Sequence, residues 1–218
     1  MKNILLLFLL LSTNVWATPT LVRSNQAEGN PQATITLPSN NVGNLLIITL
    51  ETTGSIVSPS DTAGNTWTEI QEVDGVGWSY EAWYAKNCKA SASTNTITLN
   101  DGGGYARVMA AEFSGVDTVS PLRNANSNTS TGTSLTTGVI TTVSGDLVVG
   151  WFFNNGASVT SGGSYTPITS PSDALMEYKV TSTTSENPDA TSSSNQWSAV
   201  GGAFIPSTTS TTHYNIIQ

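Results

Sequence analysis

Short runs in which apolar residues alternate with polar ones, or follow one another unbroken, recur along this chain between clusters of Gly, Asn, Asp, Ser and Pro. A period of two marks a half-buried strand, and a short unbroken apolar run marks a strand covered on both faces. The pattern predicts strands near 19–23, 33–37, 44–51, 65–72, 78–87, 95–99 and 104–114, then near 134–142, 146–153, 164–168, 174–181 and 196–205. No window combines a helical period with start and stop signals. Many short strands without intervening helices fold as antiparallel sandwiches or barrels. The expected class is all-β, an antiparallel double-sheet β-sandwich of jelly-roll type.

The same pattern holds a weak internal repeat. Gly43-Asn44-Leu45-Leu46-Ile47 and Gly145-Asp146-Leu147-Val148-Val149 each follow a Thr-rich strand and lead through a long apolar run to a glycine, Gly54 or Gly156. Glu81-Ala82-Trp83-Tyr84 then corresponds to Leu175-Met176-Glu177-Tyr178, and each half closes on a strand ending in Phe113 or Phe204. The pairs Leu45/Leu147, Tyr84/Tyr178 and Phe113/Phe204 lie 102, 94 and 91 residues apart, so the second copy is shorter. Two arrangements fit: tandem sandwiches, or interleaved halves of one jelly roll. A segment as short as 131–206 buries little surface alone, which favours one domain over 18–206 with halves 18–115 and 131–206. Val116 to Thr131 then reads as a polar connection and 207–218 as a free tail.

The first residues have another character. Lys2 is followed by the apolar run Ile4–Leu11 and by Val15-Trp16-Ala17. This is the three-part form of a secretory signal peptide cleaved after Ala17, and the run is far shorter than the ~20 residues of a membrane span. Secretion to the medium, the cell surface or the periplasm is expected. The formal charge of −8, or −9 without Lys2, lacks the basic footprint of a nucleic-acid binder and argues against an anionic membrane as partner. Cys88, the single cysteine, has no partner for an internal disulfide, so the exported fold must rest on its core.

Few residue types suited to catalysis are present. The one histidine, His213, falls in the predicted tail, which leaves no Ser–His–Asp or Cys–His arrangement and no zinc ligand set. Paired carboxylates could serve glycoside hydrolysis. However, Glu72-Val73-Asp74-Gly75-Val76-Gly77 ends in glycine where a third acid is needed, and reads as a loop. Glu51, Glu69, Glu81, Glu112 and Glu177 are isolated on strands and read as outward-facing polar residues. Glu112 is the exception worth following, either a buried acid with a partner such as Arg107 or a rim residue. No enzyme is expected. Asp61-Thr62-Ala63-Gly64-Asn65 offers oxygen ligands for a structural calcium at Asp61 and Asn65, but reads first as ordinary turn chemistry, and Asp101-Gly102-Gly103-Gly104 reads as a turn too. Trp67, Trp78, Trp83, Trp151 and Trp197 remain after cleavage, with Trp83 and Trp151 in core-like strands. Trp78 and Tyr80 follow Gly75-Val76-Gly77 at a strand entry, where an exposed ring could stack on a sugar.

The stretches Asp61–Trp67, Trp83–Asn87 and Ala111–Asp117, with Pro121-Leu122, resemble β-sandwich modules of uncharacterised secreted bacterial proteins, often found beside glycan-binding or adhesion domains. The resemblance implies a jelly-roll-like extracellular module and carries over no catalytic residue. The leading expectation is a non-catalytic module binding a polysaccharide or cell-surface glycan through Trp78 and Tyr80. Second is a self-associating subunit of a matrix, sheath or filament, with 214–217 adding a strand to a neighbour's sheet. A polysaccharide-degrading enzyme is third.

Overall fold

A computed structural model describes residues 8–30, 34–53, 58–75, 77–91, 93–100, 104–170 and 173–216. Gly54, Val76 and residues 101–103 of the expected turn lie outside them. The described elements are all strands: β1 (Phe8–Trp16), β2 (Thr20–Gly29), β3 (Thr34–Pro38), β4 (Leu45–Thr52), β5 (Ser60–Asp61), β6 (Thr68–Gly75), β7 (Trp78–Ala85), β8 (Thr94–Thr98) and β9 (Ala106–Ser114). A second series continues with β10 (Leu122–Thr136), β11 (Ile140–Thr141), β12 (Leu147–Asn154), β13 (Val159–Ser161), β14 (Thr166–Thr169), β15 (Ala174–Val180), β16 (Ser185–Glu186), β17 (Asp189–Phe204) and β18 (Thr208–Ile216).

The two halves share one plan. The first forms a sheet ordered β2-β9-β4-β7-β6 with a small sheet β3-β8-β5; the second forms β10-β17-β12-β15-β14, with β13 on β17, and a ribbon β11-β16. Leu45 stands opposite Phe113 and Ile47 opposite Tyr84, while Leu147 stands opposite Phe204 and Val149 opposite Tyr178. The three offsets read from the sequence are therefore structural equivalences. Apart from the β1-β18 ribbon, no sheet of the described residues mixes strands of the two series; the halves are joined chiefly by stacking.

The stacked surface is the main core. Leu45, Ile47, Tyr80, Tyr84 and Phe113 from the first half pack with Leu147, Val149, Trp151, Phe153 and Phe204 from the second. Aromatic pairs cross the seam: Tyr80 with Phe153 at 5.1 Å, Phe113 with Tyr178 at 5.6 Å and Tyr84 with Phe204 at 6.0 Å between centroids. Alternate residues of the same strands face away. Leu46, Ile48 and Leu50 pack under the small sheet with Ile35, Leu37 and Ile97, and Val148 and Phe152 do likewise in the second half. Both faces of β4 and β12 are thus covered, which explains their unbroken apolar sequence. Each fully buried large apolar side chain stabilises by ~1.5–3 kcal/mol. Glycine lets the second half's outer layer approach: a Cβ on Gly150 would lie 2.7 Å from Pro188 Cβ.

Two expectations are corrected here. Part of the supposed connection after Val116 is a fifteen-residue strand, β10, paired along β17. It is polar because it is a sheet edge with one row of backbone groups facing outward. The expected free tail is strand β18, paired antiparallel with β1 from Thr208–Trp16 to Ile216–Phe8.

Each half also buries one arginine–carboxylate pair at the same place. In the first, Arg23 Nε lies 2.8 Å from Glu112, which accepts the Asn41 amide (2.9 Å) and the Asn44 side-chain amide (2.6 Å). In the second, Arg123 donates twice to Asp146 (2.5 and 3.1 Å), which accepts the Val143 amide (2.8 Å). Asp146 occupies the position of Asn44, so the acid has moved from the partner strand into the turn. Both pairs sit at register shifts near the start of β2 and β10.

Candidate functional site

The sugar platform expected at Trp78 and Tyr80 is not built as such. Tyr80 is 4% exposed because β7 turns Tyr80, Ala82 and Tyr84 into the shared core. Trp78, on the same face two residues earlier, reaches only the rim, half-buried and edge-on to Tyr105 at 5.6 Å. Of the other tryptophans after residue 17, Trp67, Trp151 and Trp197 are buried and Trp83 is half-buried.

The strand acids also differ from expectation. Glu69 is exposed, but Glu51, Glu81, Glu112 and Glu177 are buried, since their strands are covered on both faces. Burial pushes the Glu51, Glu81 and Glu177 carboxyls up to about 7. Glu81 accepts the Trp83 indole N–H (2.9 Å), and Glu177 accepts the Ser161 hydroxyl. Arg107 is not the partner of Glu112. It stands between Glu28 on β2 and Glu51 on β4, binds both, and reaches Asp173 of the second half at 2.8 Å and the Tyr105 hydroxyl at 2.9 Å. Its chemistry is a tie across the seam between halves. The stretch 72–75, read as loop, belongs to β6.

Asp61 and Asn65 form a built turn in which both Asp61 carboxylate oxygens accept hydrogen bonds. Asp61 accepts the Asn65 amide (3.0 Å) on one oxygen and the Asn65 and Asn95 side-chain amides (2.8 and 3.3 Å) on the other. No group of three or more His, Cys, Asp or Glu gathers among the described residues.

That turn forms one wall of a cleft of about 250 Å³. Asn65, Thr66 and Thr68 line it from the β5–β6 segment; Lys86, Asn87 and Lys89 line it from the segment after β7, and Thr118 closes it. Two buried side chains fasten these walls to the same outer core, Trp67 below the first and Cys88 below the second. Burial raises the Cys88 thiol to about 11, in keeping with its place in the outer core. Asn65 accepts the Lys89 amide at 2.8 Å, tying wall to wall. Asn87 takes a left-handed φ of 47°, which turns Lys86 and Lys89 outward around Cys88. The ammonium groups donate to Val119 O and Gly64 O, respectively.

Sequence reasoning passed over Lys86-Asn87-Cys88-Lys89 as the end of a strand. The signal was there: two of the six cations left after residue 17 lie within four positions. The segments ending at Trp67 and Asn87, singled out for their resemblance, supply Asn65, Thr66, Lys86 and Asn87 to the cleft lining. No protein-family model matches the chain, and no similar curated protein is found.

Proposed function

We propose that the protein is an exported, non-catalytic glycan-binding or adhesion module with jelly-roll-like halves, and that the cleft between Asn65 and Lys89 is its binding site. One observation carries this reading: hydroxyl, amide and ammonium groups converge on a small cleft whose walls are already fixed to each other and to the core. Such groups match the hydroxyls of a saccharide, and fixed walls reduce the ordering cost of binding. Among the described residues no carboxylate lines the cleft, which does not match the acid pair that glycoside hydrolysis uses. The volume is below the ~300–1,000 Å³ of drug-sized sites, which suits about one sugar ring. A glycan array probed with residues 18–218 tests the proposal. Binding should appear and should weaken in Thr68→Val/Asn87→Gly, changes that remove polar groups at exposed positions while glycine keeps the left-handed backbone. Binding by no glycan would overturn it.

A second reading, a self-associating matrix subunit, has its own support. β18 is hydrogen-bonded along its length to β1, within the segment expected to be cleaved. Removal of residues 1–17 would open that edge for a strand of another copy. Spontaneous polymers of 18–218, absent from 18–206, would favour it; a monomer of 18–218 would exclude it.

A further inference from the structure

Among the described residues, four of the six Lys and Arg are held by carboxylates: Arg23 by Glu112, Arg107 by Glu28, Glu51 and Asp173, Arg123 by Asp146, and Lys179 by Glu186. The other two, Lys86 and Lys89, are the two in the cleft, and their hydrogen bonds go to backbone carbonyls. The chain has fifteen Asp and Glu against seven Lys and Arg, so carboxylates are abundant, yet among the described residues none pairs with these two. Asp61 and Asp117, which adjoin the lining segments at Asn65 and Thr118, are committed elsewhere. Asp61 accepts from Asn65 and Asn95, and Asp117 caps the Val119 and Ser120 amides at 2.8 and 2.7 Å.

We infer that the cleft recognises a carboxylate-bearing sugar, a uronic acid unit of an acidic polysaccharide. The inference rests on the glycan-binding reading and deepens it. Each ammonium has three N–H donors, and one on each is used to fix the head against a wall. The remaining donors line the same cleft and offer a carboxylate charge-assisted hydrogen bonds, which are stronger than neutral ones. Thr66, Thr68 and Asn87 supply partners for ring hydroxyls. Elsewhere the net charge of −8 repels polyanions, so binding is confined to this short-range cation pair.

The test is calorimetric titration of 18–218 with oligogalacturonate and oligomannuronate, with their carboxyl-reduced neutral counterparts, and with inorganic sulfate and phosphate. The expected result is uronate binding at least about tenfold tighter than the neutral counterpart, lost by about tenfold or more in Lys86→Gln and Lys89→Gln and kept in Lys86→Arg. Thermal melts should show all three variants folded, since both side chains are exposed. Neutral and acidic sugars binding alike, with both Gln variants unaffected, would overturn the acidic specificity while leaving glycan binding intact. Binding of neutral sugars only would do the same. Sulfate or phosphate matching the uronates would reduce the site to a general anion site and overturn the sugar assignment. No binding of any saccharide would overturn both readings.

Discussion

Replacing Glu112 with alanine removes the acceptor on which the first half's turn and its entering strand converge. The carboxylate is fully buried and holds Arg23, itself only 21% exposed, at 2.8 Å, together with the Asn41 and Asn44 amides. The mutant leaves a largely desolvated guanidinium and two donors without their partner. Breaking a buried pair from one side costs ~3–5 kcal/mol. At ~2–4 °C per kcal/mol for a chain of this size, the Tm should fall by roughly 6–20 °C. Glu112→Gln keeps an oxygen for the amides and should cost less, since the loss is then chiefly the charge. Asp146→Ala, at the corresponding pair of the second half, should match Glu112→Ala. Urea unfolding followed by tryptophan fluorescence and by circular dichroism measures each cost. Because the halves share one core, each mutant should shift a single transition seen alike by both probes. A loss below about 1 kcal/mol would refute the energetic role of the pair. A transition in which only half the signal moves would refute the cooperative core.

The remaining predictions concern pH and packing. Glu51, Glu81 and Glu177 bind a proton in the fold up to about pH 7, against the usual 4.5, so between these values the folded state holds more protons than the unfolded one. Stability should therefore fall as pH rises from 4.5 to 7, by at most ~1.4 kcal/mol per unit for each group. Glu186 works the other way: burial opposes its charge, but hydrogen bonds from Thr181, Lys179, Thr183 and Tyr165 bring it down to about 2, so its contribution is lost as pH falls from 4.5 to 2. The urea midpoint should peak near about pH 5, and a maximum above pH 7 would contradict these assignments. Tyr80→Ala should cost ~3–5 kcal/mol, as a core truncation does, with sugar binding per folded molecule unchanged; a stable mutant that loses binding would restore it as a platform. Gly150→Ala should destabilise by ~1–3 kcal/mol through the contact with Pro188, and a neutral melt would show that the outer layer yields.

Much of the fold was legible because periodicity reports burial directly. The unbroken runs at 45–50 and 147–153 marked the central strands, and the Leu45/Leu147, Tyr84/Tyr178 and Phe113/Phe204 offsets matched the observed register. Periodicity failed where burial and polarity part company. Glu81 and Glu177 look like outward residues of a half-exposed strand, but a second layer covers that face, and no local pattern announces it. The same blindness misplaced Tyr80, whose neighbouring glycines suggested an open entry while the second half's Phe153 covers the ring. β10 and β18 escaped notice because edge strands of Ser, Thr and Asn look like linkers. The cleft was hidden for another reason: its two walls are about twenty residues apart, and only the buried anchors Trp67 and Cys88 bring them together.

The central claim is that saccharide is held between Asn65 and Lys89, and lysine accessibility reads this directly. Acetylation of 18–218 followed by mass spectrometry, with and without saturating oligogalacturonate, compares Lys86 and Lys89 with Lys179, which stays paired with Glu186 at 3.0 Å. Bound saccharide should slow modification of Lys86 and Lys89 together by about tenfold and leave Lys179 unchanged. Unchanged rates at both cleft lysines under conditions where the sugar binds would place the site elsewhere and contradict the account.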